Sequence, residues 1–305
     1  MRQIKINFYN MWGGFFPHDN LITNTLKLKY DVIANLQNET PDIVICQNTE
    51  SVAAKNVTRA FRGKSKIIHW YVESLDRIGD PNYTECDFSI TSCKFNHDKN
   101  IRIPLWSMYI DWFNNQYHPG RNQAYLVSPK KLITPKEKQT KDKFCSALTN
   151  NSLGYRATAY PQFINFATSK GLLVESRGNF CQTCPKLNGD EKDKIDFIKN
   201  FKFHLTYDNS DLPGWITEKL IHPMSEGSIP IYWGGIDVEE EFNKDGFIHV
   251  RRFDNLDEVH DRVFQIYKNE ELFYDIQTQP CFPDNKIPEC ATPEFILSKL
   301  ETIVE

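Results

Sequence analysis

The sequence predicts an α/β protein with parallel sheets in both halves. Short apolar runs of strand length alternate along 305 residues with helical or loop segments, which is the pattern of repeated strand and helix units. The chain is about two average domains long, and 40% apolar with 25% charged residues is typical of a globular protein. It contains no apolar run near the ~18 residues that a membrane span needs.

The N-terminal half opens with apolar and polar residues that alternate from Ile4. The strand-like runs that follow read IKINFY, DIVICQ, KIIHWYV, DFSITS and IRIPLW, and the segment NTLKLKYDVIANLQ is predicted as helix or loop. Because the first strand starts at once, we expect no signal peptide and a cytoplasmic protein.

A lysine-rich stretch with prolines, SPKKLITPKEKQTKDK at 128–143, predicts an exposed linker. We therefore place the domains at 1–135 and 136–280, with 281–305 as a tail that ends in the amphipathic helix PEFILSKLETIVE. The second domain contains the runs KFCSALT, YRATAYPQFINFATSKG, LLVES and DKIDFIKN.

The net charge and the cysteine spacing argue against nucleic-acid binding, membrane binding and a zinc site. A net charge of −4 and a pI near 6.1 provide no global field for nucleic acid or an anionic membrane. Cys181 and Cys184 have CxxC spacing, but no second pair completes a zinc site. Whether these two, or Cys281 and Cys290, form disulfides stays open.

The most informative stretch is FKFHLTYDNSDLPGWITEKLIHPMSEGSIPIYWGG, residues 201–235. It predicts a strand, a helix that begins near Trp215, and a second strand. Lys219 would then lie in the first helical turn, where free N–H groups favour a diphosphate, and Glu218 could accept hydrogen bonds from a ribose. A solvated first turn is the alternative reading. Pro223 implies that the helix is kinked or begins later.

These residues closely resemble the α1,3-fucosyltransferase signature of glycosyltransferase family 10. That signature reads F-x-L-x-F-E-N-S, then Y-x-T-E-K, then A-G-x-[IV]-P-[IV] and a glycine-rich turn. Weaker similarities follow in the family's order at HWYVESL, IRIPLW and KFCSALTNNSLGYRATAY, so the resemblance covers roughly residues 66–268.

The resemblance implies an inverting GT-B enzyme with two Rossmann-like domains that face each other across a cleft. The acceptor would bind the N-terminal domain and GDP-β-L-fucose the C-terminal one, with transfer to a hydroxyl, O3 in the family's usual reaction. Glu73 would be the general base. Arg156 and Lys219 would hold the diphosphate, Glu218 the ribose, and Asn209 would lie in the nucleotide pocket.

Three positions depart from the family pattern. Tyr207 and Asp208 replace the usual Phe and Glu, and Trp215 replaces Tyr. We assign Tyr207 and Trp215 to the donor side, Trp215 only as an aromatic wall. The run YDNSD could be an acidic metal site, but cations and a helix terminus can neutralise a diphosphate without one. No cofactor is therefore predicted to be required, and stimulation by a divalent metal stays open.

The predicted partners are GDP-fucose and an oligosaccharide or glycan acceptor, without nucleic acid or a membrane span. The loop NMWGGFF, with Trp12, Gly13 and Phe15, is the acceptor candidate. The acceptor sugar and the oligomeric state stay open. A bacterial or viral cytoplasmic enzyme, or a soluble fragment of a secretory-pathway enzyme, would fit. A non-catalytic glycan-binding module and a transferase for another GDP-sugar are alternatives, and the lack of GxGxxG disfavours a dinucleotide oxidoreductase.

Overall fold

The structure is a computed structural model that describes residues 1–36, 38–47, 51–114 and 126–305. Its strands are β1 Gln3–Tyr9, β2 Asp31–Ala34, β3 Ile43–Cys46, β4 Lys66–Tyr71, β5 Phe88–Thr91, β6 Asn100–Arg102, β7 Lys143–Ala147, β8 Val174–Ser176, β9 Phe201–Tyr207, β10 Ile229–Trp233 and β11 Ile248–His249. Its α-helices are α1 Leu21–Leu26, α2 Val52–Phe61, α3 Leu75–Ile78, α4 Pro129–Ile133, α5 Arg156–Ser169, α6 Glu191–Ile198, α7 Glu218–Ser225, α8 Leu256–Lys268, α9 Glu270–Gln277 and α10 Pro293–Val304.

The chain divides into two units. Met1–Met108 and Pro288–Glu305 belong to the first, whereas Tyr109–Asp111 and residues 126–287 belong to the second. The closing helix α10 is therefore part of the first unit, where its apolar residues and those of α1 contribute to one core with the strands. The sequence had separated this helix as a tail because a local pattern does not show which core a helix completes.

The first unit contains a parallel sheet whose described strands lie in the order β2-β1-β3-β4-β5-β6. The chain leaves β1 toward one neighbour, β2, and then places β3 on the other side. In open parallel sheets such a reversal creates a crevice at the carboxyl ends of the two strands, where ligands bind. The reversal here lies between β1 and β3.

The second unit repeats this topology. Its parallel strands lie in the order β11-β10-β9-β7-β8, so the reversal lies between β7 and β9. β9 pairs with strands on both sides and is buried along almost its whole length. Its polar residues His204 and Thr206 alternate with apolar ones but are buried as well, so both faces of this central strand are covered.

One local prediction was wrong and one was incomplete. The segment NTLKLKYDVIANLQ continues beyond α1 as the edge strand β2, because Val32 and Ile33 pair with β1. The stretch 128–143 is mostly exposed as predicted, but it also holds α4 and the buried Lys141, whose ammonium donates to the carbonyls of Lys199 and Glu226 at 2.7 and 2.6 Å. Burial lowers the pKa of Lys141 to about 8.

All cysteines are free thiols, including the two candidate pairs. In the part of the chain that the structure describes, none of the helices combines the length and the hydropathy of a membrane span.

Candidate functional site

The donor-side residues lie at the carboxyl ends of β7 and β9, where the second sheet reverses. Arg156 begins α5 after β7, and Asp208 and Asn209 directly follow β9. The guanidinium of Arg156 joins the two segments, since Nε donates to the Tyr207 carbonyl and Nη1 to Asn151 Oδ1, both at 2.8 Å. Arg156 is 4% exposed, so it is not the solvated cation that a helix start usually carries.

The helix after β9 begins at Glu218, whereas the sequence predicted a start near Trp215. Gly214 has φ +76°, and the chain is still extended at Thr217, which caps α7 by accepting a hydrogen bond from the Lys219 N–H at 3.3 Å. The prediction failed because the Pro-Gly turn and the threonine cap place the boundary after the apolar Trp215 and Ile216. Pro223, which had implied a kinked helix or a later start, lies inside the helix.

Glu218 and Lys219 are not a solvated helix turn. Glu218 is 9% exposed, and its Oε1 lies 3.4 Å from Nζ of Lys219 and 3.4 Å from Nζ of Lys194. Burial alone would raise the pKa of Glu218, but the two ammonium groups lower it well below its ordinary value. The carboxylate is thus ionised and remains a strong acceptor at any ordinary pH.

Asp208 organises the first turn of α7, a role that sequence reasoning missed. It is fully buried and accepts hydrogen bonds from Thr217 Oγ1 at 2.6 Å and from the Tyr232 hydroxyl at 3.2 Å. Lys219 Nζ lies 3.6 Å from Oδ1. Burial raises the pKa of Asp208, and Lys219 with the Thr217 hydrogen bond offsets part of that rise.

The glycine-rich turn after β10 is required by this close packing. A Cβ on Gly234 would lie 2.9 Å from Asp208 Oδ2, and one on Gly235 would lie 2.7 Å from the Trp215 carbonyl oxygen. Both distances are shorter than carbon and oxygen atoms tolerate, so side chains at these positions would displace the network.

The remaining donor-side residues differ in their exposure. Asn209 is partly exposed, and its Oδ1 accepts a hydrogen bond from the Trp215 indole at 3.0 Å. Trp215 is 2% exposed, so it holds Asn209 instead of forming an open wall. The Tyr207 side chain was predicted to contact the donor, but it is fully buried against Tyr160 in the core, and only its carbonyl serves the site by fixing Arg156.

The run YDNSD does not assemble an acidic cluster in the described residues. Asp208 is engaged with Thr217 and Tyr232, and Asp211 pairs with Arg251. Among the described residues, no group of three His, Cys, Asp or Glu side chains is arranged to hold a metal ion.

A second candidate site lies in the first unit. A cavity of about 560 Å³ is located at the carboxyl ends of β1, β3 and β4, and its lining includes Trp12, Gln47 and Glu73. It therefore occupies the reversal point of the first sheet. Glu73 is exposed and forms an ion pair of 3.0 Å with Nη1 of Arg77, which also lines the cavity.

Of the three acceptor candidates in the loop after β1, only Trp12 lines the cavity. Trp12 lines the cavity and packs edge-on against Trp70, with ring centroids 5.6 Å apart. Phe15 packs against Trp12 and Phe8 and contributes to the core instead of the cavity lining. Gly13 is exposed, and a Cβ there would meet no atom within 4 Å, so packing does not require this glycine.

Lys194 is the other site residue that sequence reasoning missed. It lies on α6, a helix whose sequence shows only a capping signal at Asp190. No local pattern distinguishes it from the exposed lysines around it, and its contact with Glu218 arises from the packing of α6 beside α7.

Comparison with known proteins agrees with the resemblance found in the sequence. Residues 134–276 match the family model described as "Glycosyltransferase family 10 (fucosyltransferase) C-term", a span that includes all the donor-side residues above. The Helicobacter pylori protein named Alpha-(1,3)-fucosyltransferase FucT is 34% identical over 85 residues, which are 28% of this chain and 18% of that protein.

Two further relatives show the same partial coverage. A protein of Acanthamoeba polyphaga mimivirus, whose name marks it as a provisional fucosyltransferase, is 31% identical over 175 residues, which are 53% of this chain and 26% of the relative. The Mus musculus 4-galactosyl-N-acetylglucosaminide 3-alpha-L-fucosyltransferase 9 is 33% identical over 86 residues, or 28% of this chain and 24% of the relative. The matches thus span well under half of each relative.

Solved structures match over nearly the whole chain. A crystal structure of an alpha1,3-fucosyltransferase with GDP-fucose aligns with a TM-score of 0.72 at 21% identity and covers 100% of this chain and 91% of that one. A DNA-modifying beta-glucosyltransferase aligns with a TM-score of 0.56 at 14% identity, covering 99% of this chain and 100% of that one. At such identities the likeness concerns the fold, and it confirms an α/β fold with parallel sheets of the GT-B type.

Proposed function

We propose, because residues 134–276 match the model of glycosyltransferase family 10, that this chain is an inverting fucosyltransferase. It transfers L-fucose from GDP-β-L-fucose to a hydroxyl of a glycan acceptor, O3 by analogy with the names of its relatives. The observation that carries the proposal is the set of Arg156, Glu218 and Lys219 at the reversal point of the second sheet.

The donor half of the proposal follows from charge and hydrogen bonding. Lys219 and the positive end of the α7 dipole receive the departing diphosphate, and Arg156 supplies the N–H groups that are not bound to Tyr207 or Asn151. Glu218 accepts hydrogen bonds from the ribose hydroxyls. Stabilising the diphosphate by cations and N–H groups supports catalysis without a required metal ion.

The acceptor half assigns the cavity in the first unit to the acceptor sugar. Trp12 provides an aromatic face, and Glu73 accepts the proton of the attacking hydroxyl. Direct displacement by that hydroxyl at the anomeric carbon of β-L-fucose breaks the bond to the diphosphate and yields the α-linked product. Arg77 holds the Glu73 carboxylate before the acceptor arrives.

Thermal shift with GDP-fucose, GDP, GDP-mannose, UDP-glucose and NAD tests the nucleotide assignment, since a ligand of the native state raises the melting temperature. We expect the GDP compounds to stabilise the protein and the UDP-sugar and NAD to have little effect. Equal shifts with UDP-glucose would refute the assignment.

Product analysis tests the reaction. The enzyme is incubated with GDP-fucose and a panel of oligosaccharides, and NMR determines the anomeric configuration and the linkage of the product. Saturable glycan binding without turnover of GDP-fucose would favour the non-catalytic alternative. Preferential turnover of GDP-mannose would instead identify another GDP-sugar as the donor.

A further inference from the structure

A buried charge cluster surrounds the Glu218 carboxylate. Lys194 Nζ lies 3.4 Å from Glu218 Oε1 and 3.2 Å from Glu191 Oε2, and its side chain is 17% exposed. Lys194 thus bridges a carboxylate on its own helix and one on α7. Burial lowers the pKa of Lys194, but Glu218 and Glu191 outweigh it and raise that pKa, so the ammonium stays charged.

Lys219 alone is poorly suited to neutralise Glu218. Its ammonium lies 3.4 Å from Glu218 Oε1 but also 3.2 Å from Thr217 Oγ1 and 3.6 Å from Asp208 Oδ1. In the proposed function the same ammonium binds a diphosphate. A charged carboxylate that is 9% exposed would then lose its neighbouring cation at the moment when the nucleotide binds.

We propose that Lys194 is a positioning residue for ribose recognition, which holds Glu218 ionised and in place while Lys219 turns to the diphosphate. The inference rests on the proposed function, in which Glu218 accepts hydrogen bonds from the ribose. Both lysines contact Oε1, and we assign the other carboxylate oxygen, Oε2, as the acceptor for a ribose hydroxyl.

Other titratable groups face Glu218 and bear on its pH dependence. His222 on α7 is fully buried and lies 3.9 Å from Glu191, and His204 on β9 is buried with Nδ1 at 2.7 Å from Ser146 Oγ. Burial lowers the pKa of His204 to about 3 and that of His222 well below its ordinary range, so both are neutral at neutral pH. Asp208 adds a repelling carboxylate at the end of β9.

The test compares two ligands by calorimetry on the full chain: GDP and dideoxy-GDP, which lacks both ribose hydroxyls. The ratio of their dissociation constants isolates the ribose contribution, which we expect to be about tenfold or more in the wild type. The variants are Lys194→Met, which removes the charge, and Lys194→Arg, which restores it. Lys192→Met is the matched control, because Lys192 lies on the same helix and is exposed.

We expect Lys194→Met to reduce this ratio to near one, Lys194→Arg to restore most of it, and Lys192→Met to leave it unchanged. Any ratio that remains in Lys194→Met should fall on acidification earlier than that of the wild type, because burial then raises the pKa of Glu218 with less opposition. If Lys194→Met does not fold, Lys194→Gln takes its place.

Two results would overturn the inference in distinguishable ways. If the Lys194 variants lose affinity for GDP and dideoxy-GDP equally, or keep the wild-type ratio, Lys194 has no role in ribose recognition and the proposed function stands. If the wild type binds both ligands equally, Glu218 does not contact the ribose. The donor model itself then fails along with the role of Lys194.

Discussion

Replacing Arg156 by Met should weaken both folding and nucleotide binding. The side chain is 4% exposed and donates to the Tyr207 carbonyl and to Asn151 Oδ1, each at 2.8 Å. Methionine fills a similar volume but leaves the buried carbonyl without its donor. Hydrogen bonds from a charged donor contribute about 1.5–3 kcal/mol each, and an unsatisfied buried acceptor costs about 1–3 kcal/mol. Since one loss partly includes the other, we expect the free energy of unfolding to fall by about 2–4 kcal/mol.

The binding effect is separate from this structural one. If Arg156 also holds the diphosphate, Arg156→Met should lose a further charge-assisted interaction with GDP of about 1.5–3 kcal/mol. The dissociation constant for GDP should then rise roughly 10- to 150-fold. Arg156→Lys should recover part of the GDP affinity through its charge but little of the stability, because an ammonium lacks the fixed fork of the guanidinium.

Urea denaturation measures the stability of these variants, and calorimetry on the folded protein measures their affinity for GDP. Arg262→Met is the control, since Arg262 lies half-exposed on α8 of the same unit. Lost stability with unchanged GDP affinity would show that Arg156 only joins β9 to α5. Unchanged values of both quantities would refute the reasoning from burial as well.

Three further results are expected. Activity should persist in EDTA, because the cationic groups neutralise the diphosphate; complete loss that added metal reverses would contradict this. Glu73→Gln should reduce the transfer rate by about 10²–10⁴-fold and leave GDP affinity unchanged; near-normal turnover would move the base to Asp76, or to Glu50, which lies outside the described residues. Glu218→Gln should lower the free energy of unfolding at neutral pH, and urea denaturation should show this difference shrinking below about pH 4.5. The sign follows from the lowered pKa of Glu218, whose stabilisation is present above its ordinary pKa and is lost as the carboxylate takes up a proton; a difference that grows on acidification would contradict it.

The sequence predicted most strands of both sheets because their signals are local. β9 alternates apolar and polar residues, β10 is a continuous apolar run, and the residues between them resemble a family signature. The start of α7 was misplaced by about one turn, since the apolar Trp215 and Ile216 imitate a helical stripe that the cap at Thr217 excludes. β2 was missed because an edge strand of four residues carries little periodicity of its own.

The roles of Asp208 and Lys194 could not be predicted in this way. Asp208 contacts Thr217 and Tyr232, nine and 24 residues along the chain, and Lys194 contacts Glu218 over a separation of 24 residues. Each contact depends on which strands and helices become neighbours in the fold. Residues that meet in this way are separated by no fixed number of positions, so a sequence pattern does not reveal them.

Topology explains why the candidate residues gather where they do. Each unit leaves its first strand toward one side and returns on the other, so β1 with β3 and β7 with β9 both open a crevice at their carboxyl ends. In the second unit, Arg156 spans that crevice by donating to the last residue of β9, which ties the start of α5 to the loop that carries Asp208 and Asn209. In the first unit, no comparable guanidinium bridge to a strand end occurs among the cavity-lining residues in the described ranges, and Arg77 instead pairs with the exposed Glu73. Under the proposed function, the tightly joined crevice of the second unit would hold a nucleotide in one geometry. The open one, with the exposed Glu73 carboxylate, would admit an acceptor sugar that must enter and leave as product.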